Sequence, residues 1–466
     1  MSATKNELIN DFTKGNITKQ LLKFSTPLFL ANMLQVVYNM VDMMVVGQVE
    51  GNVGVSAVSI GGDIVSFLTV LVMGFSSAAQ VIISQFVGAG QRNRIGKFIG
   101  TLTTFLVIAC AVLTAVGLIL RRQMLSWMNT PAEAFEQAVQ YSAVSMSALI
   151  FVFGYNAVSA ILRGLGDSKH PFVFISIAAV LNIILDVVFV YGLRTGAMGA
   201  AIATAISQAV SVTCAVIFLF RNKDRLGFEI KTSDLRIDKE MLSILAKLGV
   251  PMALKSAAVN ISKLFTNSFV NDFGLEVSAV TGVGNRFNII GNLFSNSINT
   301  AGASMIGQNI GAKEYKRVSK ILLNVWTLSF AILAVISLIL VLFPTQAFSL
   351  FSSEIANSTV AMEYVPVAVM IFMASASRAG ANALINGSGN NKVNLVVALL
   401  DAIILRIGLA LLLGIGFNMG YRGFWYGSAL AAFTPFFIGL GFYFSGRWKK
   451  SSITELHEDE KTKAQA

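Results

Sequence analysis

The sequence predicts an all-α polytopic membrane protein of twelve transmembrane helices in two parallel six-helix repeats. Three observations predict it: an apolar composition, twelve apolar segments of spanning length, and short motifs that recur half a chain apart. Of the 466 residues, 55% are hydrophobic and only 13% are charged, and the mean hydropathy is +0.70. Soluble domains carry about a quarter charged residues, so this chain is built for a solvent other than water. A spanning helix takes about 20 residues. Apolar segments of that length run at about 20–46, 55–83, 96–120, 138–162, 171–193 and 197–220, then at 243–271, 277–306, 319–343, 360–385, 393–416 and 422–446.

The charges between these segments alternate. The connections after the second, fourth, sixth, eighth and tenth segments carry the basic clusters: Arg92, Arg94 and Lys97; Arg163 and Lys169; six residues from Arg221 to Lys239; Lys313, Lys316, Arg317 and Lys320; and Lys392. The other connections carry mainly acids, such as Glu50, Glu133, Glu136, Asp272, Glu276 and Glu354. By the positive-inside rule the basic set and both termini face the cytoplasm, in a prokaryotic inner membrane. The expected organisation is a cytoplasmic N-terminal segment (1–19), a first lobe (20–220), a linker (221–242), a second lobe (243–446) and a disordered cytoplasmic tail (447–466).

The same asymmetry accounts for the net charge of +11, so no nucleic-acid partner is inferred. Cys110 and Cys214 lie in apolar runs without CxxC spacing, and His170 and His457 sit in polar stretches, which argues against a disulfide framework, a zinc site or a catalytic triad. No nucleophile elbow or phosphate-binding loop is present. The chain reads as a non-enzyme without a cofactor, and N-terminal residues 1–19 lack a signal peptide.

The repeat has an offset of about 223 residues. Pro27-Leu28 lies over Pro251-Met252, Ser56-Ala57-Val58 over Ser278-Ala279-Val280, and Gln85-Phe86-Val87-Gly88-Ala89 over Gln308-Asn309-Ile310-Gly311-Ala312. Six spans per half means that both halves enter the membrane from the same side, so the repeat is parallel. Two equivalent bundles suit an alternating-access carrier.

Several stretches together resemble the multidrug and toxic compound extrusion (MATE) family across nearly the whole chain. They are Gly15-Asn16-Ile17, the run from Pro27 to Asp42, Val46-Gly47, the two Gln-containing turns above, Arg163-Gly164-Leu165-Gly166-Asp167, and Gly196-Ala197-Met198-Gly199-Ala200-Ala201. The resemblance implies a V-shaped pair of six-helix lobes that exports amphipathic, often cationic compounds against inward flow of sodium ions or protons. The coupling ion is then the only inorganic requirement. The expected partners are the lipid bilayer and a small organic substrate, with a single chain as the working unit.

Asp42 and Asp186 fall deep in the first and fifth segments. A carboxylate at such depth is costly unless it faces the bundle interior, finds partners or takes up a proton. Tyr38 lies one turn from Asp42 and Asn182 one turn from Asp186, each pair on one helical face. Asn156 and Thr204 add oxygen atoms from the fourth and sixth segments. Oxygen donors suit a hard cation and paired carboxylates suit a shared proton, so the residues leave sodium and proton both open. In the archaeal and DinF-like branches of the family the matching positions carry cation coupling, and the resemblance gives Asp42, Asn156, Asn182, Asp186 and Thr204 that role, with sodium as a possible ligand. The competing reading is that the two acids only tie helices together.

The second half departs from the NorM-like pattern, in which acids on helices seven, eight and ten bind the cation. Here Lys255, Lys263, Arg286, Arg378 and Arg406 stand at comparable depth against Asp401 alone. With Gln35, these five form the candidate substrate cavity, and a basic cavity suits an anionic or zwitterionic solute. They could equally snorkel to the interface or pair with acids. Beside a multidrug antiporter, the sequence therefore leaves open an exporter or flippase of an anionic or lipid-linked substrate, and a membrane scaffold that transports nothing.

Overall fold

The computed structural model describes residues 9–229 and 234–450. The expected disorder of the tail lies outside the described residues from 451 onward. Its first residues, Arg447–Lys449, form a short turn with Trp448 buried against Tyr443 and Tyr315.

Among the described residues the helices make twelve spans. The helix Ile17–Gly88 is broken at Gly51, whose backbone (φ 62°, ψ −149°) is not helical, giving α1 (17–50) and α2 (52–88). Then come α3 (Arg92–Trp127), α4 (132–164, bent by 43° at Ala148), α5 (Lys169–Gly192) and α6 (Gly196–Arg221). The second half repeats this with α7 (Lys239–Asn271), α8 (Leu275–Gly311), α9 (Tyr315–Leu342), α10 (Thr359–Gly387), α11 (Asn391–Gly416) and α12 (Gly420–Phe444). Length and composition alone pick out nine of these helices, or ten with the bent α4. The Gly51 break doubles the first of them, and α8, 37 residues long, is too rich in Asn, Ser and Gly to pass on hydropathy. The multi-span membrane protein expected from the sequence is what the chain forms.

The residues fall into two compact units. One holds Thr26–Gly249 with residues up to Asp11; the other holds Phe12–Ser25 with Val250 onward. Of the three changes of unit along the chain, the second and third come just ahead of a proline, Pro27 in α1 and Pro251 in α7. In the second unit, the Phe12 N–H donates to Gln308 Oε1 (3.0 Å), while Asn309 Nδ2 and Arg317 Nε donate to the Phe12 carbonyl (3.0 and 2.8 Å). The Gln308-Asn309 motif thus serves as a backbone clamp for the segment that precedes α1.

The repeat is also written in close packing. A Cβ on Gly164 would stand 2.8 Å from the Gln80 carbonyl and from Ile83, and a Cβ on Gly387 would stand 2.8 Å from the Ala303 carbonyl and from Ile306. Each pair of positions is related by the sequence offset. In lipid, where helices gain no hydrophobic drive to associate, such small residues let backbones touch. Gly164→Val and Gly387→Val should each destabilise the purified protein by about 1–3 kcal/mol, seen as a lower melting temperature in detergent.

Two of the spans change their winding. In α5 the segment Val187–Gly192 is π-helical, and α11 is π-helical over Ala398–Leu405 and Leu412–Gly416. Such wide turns recur at functional sites. Here the first begins immediately after Asp186, and the second contains Asp401.

Candidate functional site

In the first unit, α1, α5 and α6 bring Tyr38, Asp42, Asn182, Asp186 and Thr204 into one buried cluster. Tyr38 and Asp42 are 5% and 6% exposed, and Asn182 and Asp186 2% and 0%. Asn182 Nδ2 donates to Thr204 Oγ1 (3.3 Å), and Thr204 Oγ1 donates to Asp42 Oδ2 (3.3 Å). The Asp42 and Asp186 carboxyl groups lie side by side, close enough for a proton on one to be shared with the other.

Acceptors outnumber donors in this cluster. Asp42 Oδ1, both Asp186 carboxyl oxygens and Asn182 Oδ1 are buried without a hydrogen-bond partner among the described residues. Leaving a buried polar atom unmatched costs about 1–3 kcal/mol, and several in one place need a positive partner. The donor set, hard oxygens on three helices, fits a hard cation or a proton. Among the described residues no three His, Cys, Asp or Glu side chains gather into one group, so any ion here would rest on two carboxylates with amide and hydroxyl oxygens.

Two of the expected residues sit at the margin of the cluster, Gln35 with its side chain beside the Tyr38 hydroxyl. Asn156 on α4 is partly buried, but its Nδ2 is tied to the Val152 carbonyl of its own helix (2.8 Å). Gln35 is exposed on α1. Gln208 joins the cluster instead: its Nε2 donates to the Tyr38 hydroxyl (3.4 Å), and its Oε1 is another buried, unpartnered acceptor. Gln208 comes one helical turn after Thr204, so the spacing that selected Tyr38 and Asn182 also pointed to it.

The second unit carries the basic cluster. Arg378 and Arg406 share a cavity with Lys263, Asn267, Asn285 and Asn288, closed on its apolar side by Tyr364, Phe424 and Trp425. Arg406 Nη2 donates to Asp401 Oδ1 at 2.8 Å with both side chains buried. Arg378 donates to Asn292 and to Ser375 Oγ. Lys255 lies outside the cavity lining, with its Nζ on Asn382 Oδ1 (2.8 Å). Arg286 is exposed. Its neighbour Asn285 faces the cavity, and successive helical residues point about 100° apart.

The duplicated plan finds its match in one known family. The MatE family profile matches residues 27–188 and again 251–412. The chain belongs to the MatE family. Within it, the chain is similar to the probable multidrug resistance protein YoeA of Bacillus subtilis (strain 168), 29% identical over 450 residues, covering 95% of this chain and 97% of the relative. It is 32% identical over 309 residues to the probable multidrug resistance protein YpnP of the same organism, covering 66% of this chain and 68% of that protein. Among solved structures, a MOP superfamily transporter of Pyrococcus furiosus, described as having a binding pocket of reverse polarity, superposes with a TM-score of 0.88 at 22% identity. It covers 97% of this chain and all of that one. This MatE protein is thus a membrane transporter by family, with the fold of its solved relatives.

Proposed function

We propose that this MatE protein is a secondary active antiporter that exports drugs or other amphipathic organic compounds in exchange for sodium ions or protons. The observation that carries the reading is the set of buried, unpartnered oxygens on Asp42, Asp186, Asn182 and Gln208. A site short of positive charge in a membrane protein binds a cation, and a cation with different affinity for two states of the carrier biases their populations. The residues of the site are Asp42, Asp186, Asn182, Thr204, Tyr38 and Gln208, with Asn156 as a neighbour. The relatives YoeA and YpnP, both named as probable multidrug resistance proteins, support export of small organic molecules.

In this reading residues 20–220 and 243–446 are the lobes that alternate, 221–242 is their linker, and the basic loops and both termini face the cytoplasm of a prokaryotic cell as a monomer in its inner membrane. The acid pair in the first half and the basic second half favour the archaeal and DinF-like branches over the NorM-like one. The test is transport by the full-length protein in liposomes, with ethidium and benzoate as probes, under a sodium gradient and a proton gradient imposed separately. One of the two gradients should drive movement in the parent protein, and Asp42→Asn should abolish it. A variant that pumps as fast as the parent under both gradients removes the site assignment.

A further inference from the structure

We propose that the cavity between α7, α8, α10, α11 and α12 of the second unit is a binding site for an aromatic organic anion, its carboxylate or sulfonate held by Lys263 and Arg378. The proposal names the substrate class for the export reading above, and it depends on that reading only for the transport step, not for binding.

Charge decides the sign of the ligand. Three cationic side chains line one cavity, and the acid beside them, Asp401, is already bonded to Arg406. Arg378 is oriented by Asn292 and Ser375, both uncharged, so its direction is fixed while no carboxylate is in contact with it; Asp401 acts on it only at longer range. The Lys263 ammonium has no hydrogen-bond or ion-pair partner among the described residues, and it lies near enough to Arg378 for their charges to repel. Two like charges facing a cavity inside a membrane domain are costly, and a bound anion relieves the cost for both at once. A planar carboxylate or sulfonate meets a guanidinium through paired hydrogen bonds and leaves oxygen atoms for an ammonium. A cationic guest would add a further like charge.

The opposite wall decides the ligand's body. Trp425 and Tyr364 meet edge to face with centroids 4.9 Å apart, and Phe424 stacks on Phe269 at 5.4 Å. The indole N–H of Trp425 is already given to Thr281 Oγ1 (3.0 Å). Trp425 therefore offers the ligand a ring surface and no donor. A polar, cationic end and an apolar aromatic end suit an amphipathic anion better than an inorganic one.

The experiment is equilibrium binding to the full-length protein in nanodiscs of neutral phosphatidylcholine, without any gradient. Four probes separate the terms: benzoate, its neutral and cationic isosteres benzamide and benzamidine, and acetate, which has the charge without the ring. Benzoate should bind about tenfold tighter than benzamide or more, as expected for a charge-assisted contact. Benzamidine should show no saturable binding, and acetate should be weaker than benzoate. Lys263→Met, which breaks no internal hydrogen bond, should weaken benzoate by about tenfold, and Lys263→Arg should retain it. Equal binding of benzoate and benzamide, or an unchanged affinity in Lys263→Met, overturns the proposal; acetate binding as tightly as benzoate overturns the aromatic class. Benzoate binding by a parent protein that moves benzoate and ethidium under neither gradient would uphold this site and refute the antiport reading.

Discussion

Asp186→Asn is expected to give a folded protein whose thermal stability no longer responds to the coupling ion and which drives no gradient-dependent export. The side chain is fully buried on α5, one residue before the π-helical turn, with both carboxyl oxygens unpartnered. The asparagine amide can still donate to the neighbouring Asp42 carboxyl, and asparagine has nearly the same shape, so the fold should tolerate the exchange. What is lost is half of the negative charge of the proposed cation site. In the parent protein, a ligand that binds only the folded state stabilises it by about 2.7 kcal/mol at a hundredfold excess over its dissociation constant. The melting temperature of the parent should therefore rise either with sodium at constant pH or with acidification at constant sodium, and the ion that raises it is the coupling ion. Asp186→Asn should flatten that dependence and, in the ion-free condition, melt at or above the parent, because a buried charge without a counter-ion has been removed. Melting curves of purified protein across a sodium series and a pH series make the comparison. A variant that keeps the parent's ion response would show that the charge binding the ion lies elsewhere.

The acids of the first unit were legible because depth is legible: Asp42 and Asp186 interrupt long apolar runs, and a membrane span has few reasons to hold a carboxylate. Their neighbours were legible wherever they lie one helical turn away on the same face, as Tyr38 and Asn182 do. Asn156 was not, since a side-chain amide in a helix can satisfy itself on the carbonyl one turn back, as this one does on Val152. In the second half, depth alone gathered Lys255, Lys263, Arg286, Arg378 and Arg406. Burial and direction separate them in three dimensions: Arg406 is matched by Asp401, and Arg286 turns outward. The apolar wall of Tyr364, Phe424 and Trp425 was hidden among many aromatic residues whose surroundings no single sequence reveals. For the fold, the apolar segments gave all twelve spans to within several residues. The segment ahead of α1 escaped notice because its attachment to Gln308, Asn309 and Arg317 runs through its backbone.

Gly100→Val should release the linker from α3 and cost about 3 kcal/mol or more, near the top of the range for one substitution. A Cβ at Gly100 would stand 1.9 Å from the Asp234 carbonyl oxygen, and one at Gly96 would stand 1.8 Å from the Glu229 carbonyl oxygen. Both clashes are with backbone, so a rotamer change cannot relieve them. Around these glycines, the Asp238 N–H donates to Thr101 Oγ1 (3.1 Å), Thr101 donates to the Arg236 carbonyl (3.4 Å), Lys97 pairs with Asp238 (2.9 Å), and Arg94 pairs with Glu240. Residues 234–240 of the linker are thereby fixed on α3 up to the first turn of α7, where Asp238 Oδ1 accepts the Met241 N–H (3.0 Å) and caps the helix. Trypsin cleavage at Arg236 and Lys239 reads out the release, since 3 kcal/mol is on the order of a hundredfold in the open population. Lys97→Met should cost only about 0–1 kcal/mol, because Lys97 is half exposed and water screens its pair. Partial burial works against ionisation of Asp238, but the Met241 N–H and Lys97 outweigh it and hold the carboxyl below the ordinary range. Its contribution is therefore complete above the ordinary carboxylate pKa and fades as pH falls through the lowered one, so linker cleavage should quicken only in acid. If Gly100→Val were cut no faster than Lys97→Met, the linker would be held by its ion pairs and not by the glycine face of α3.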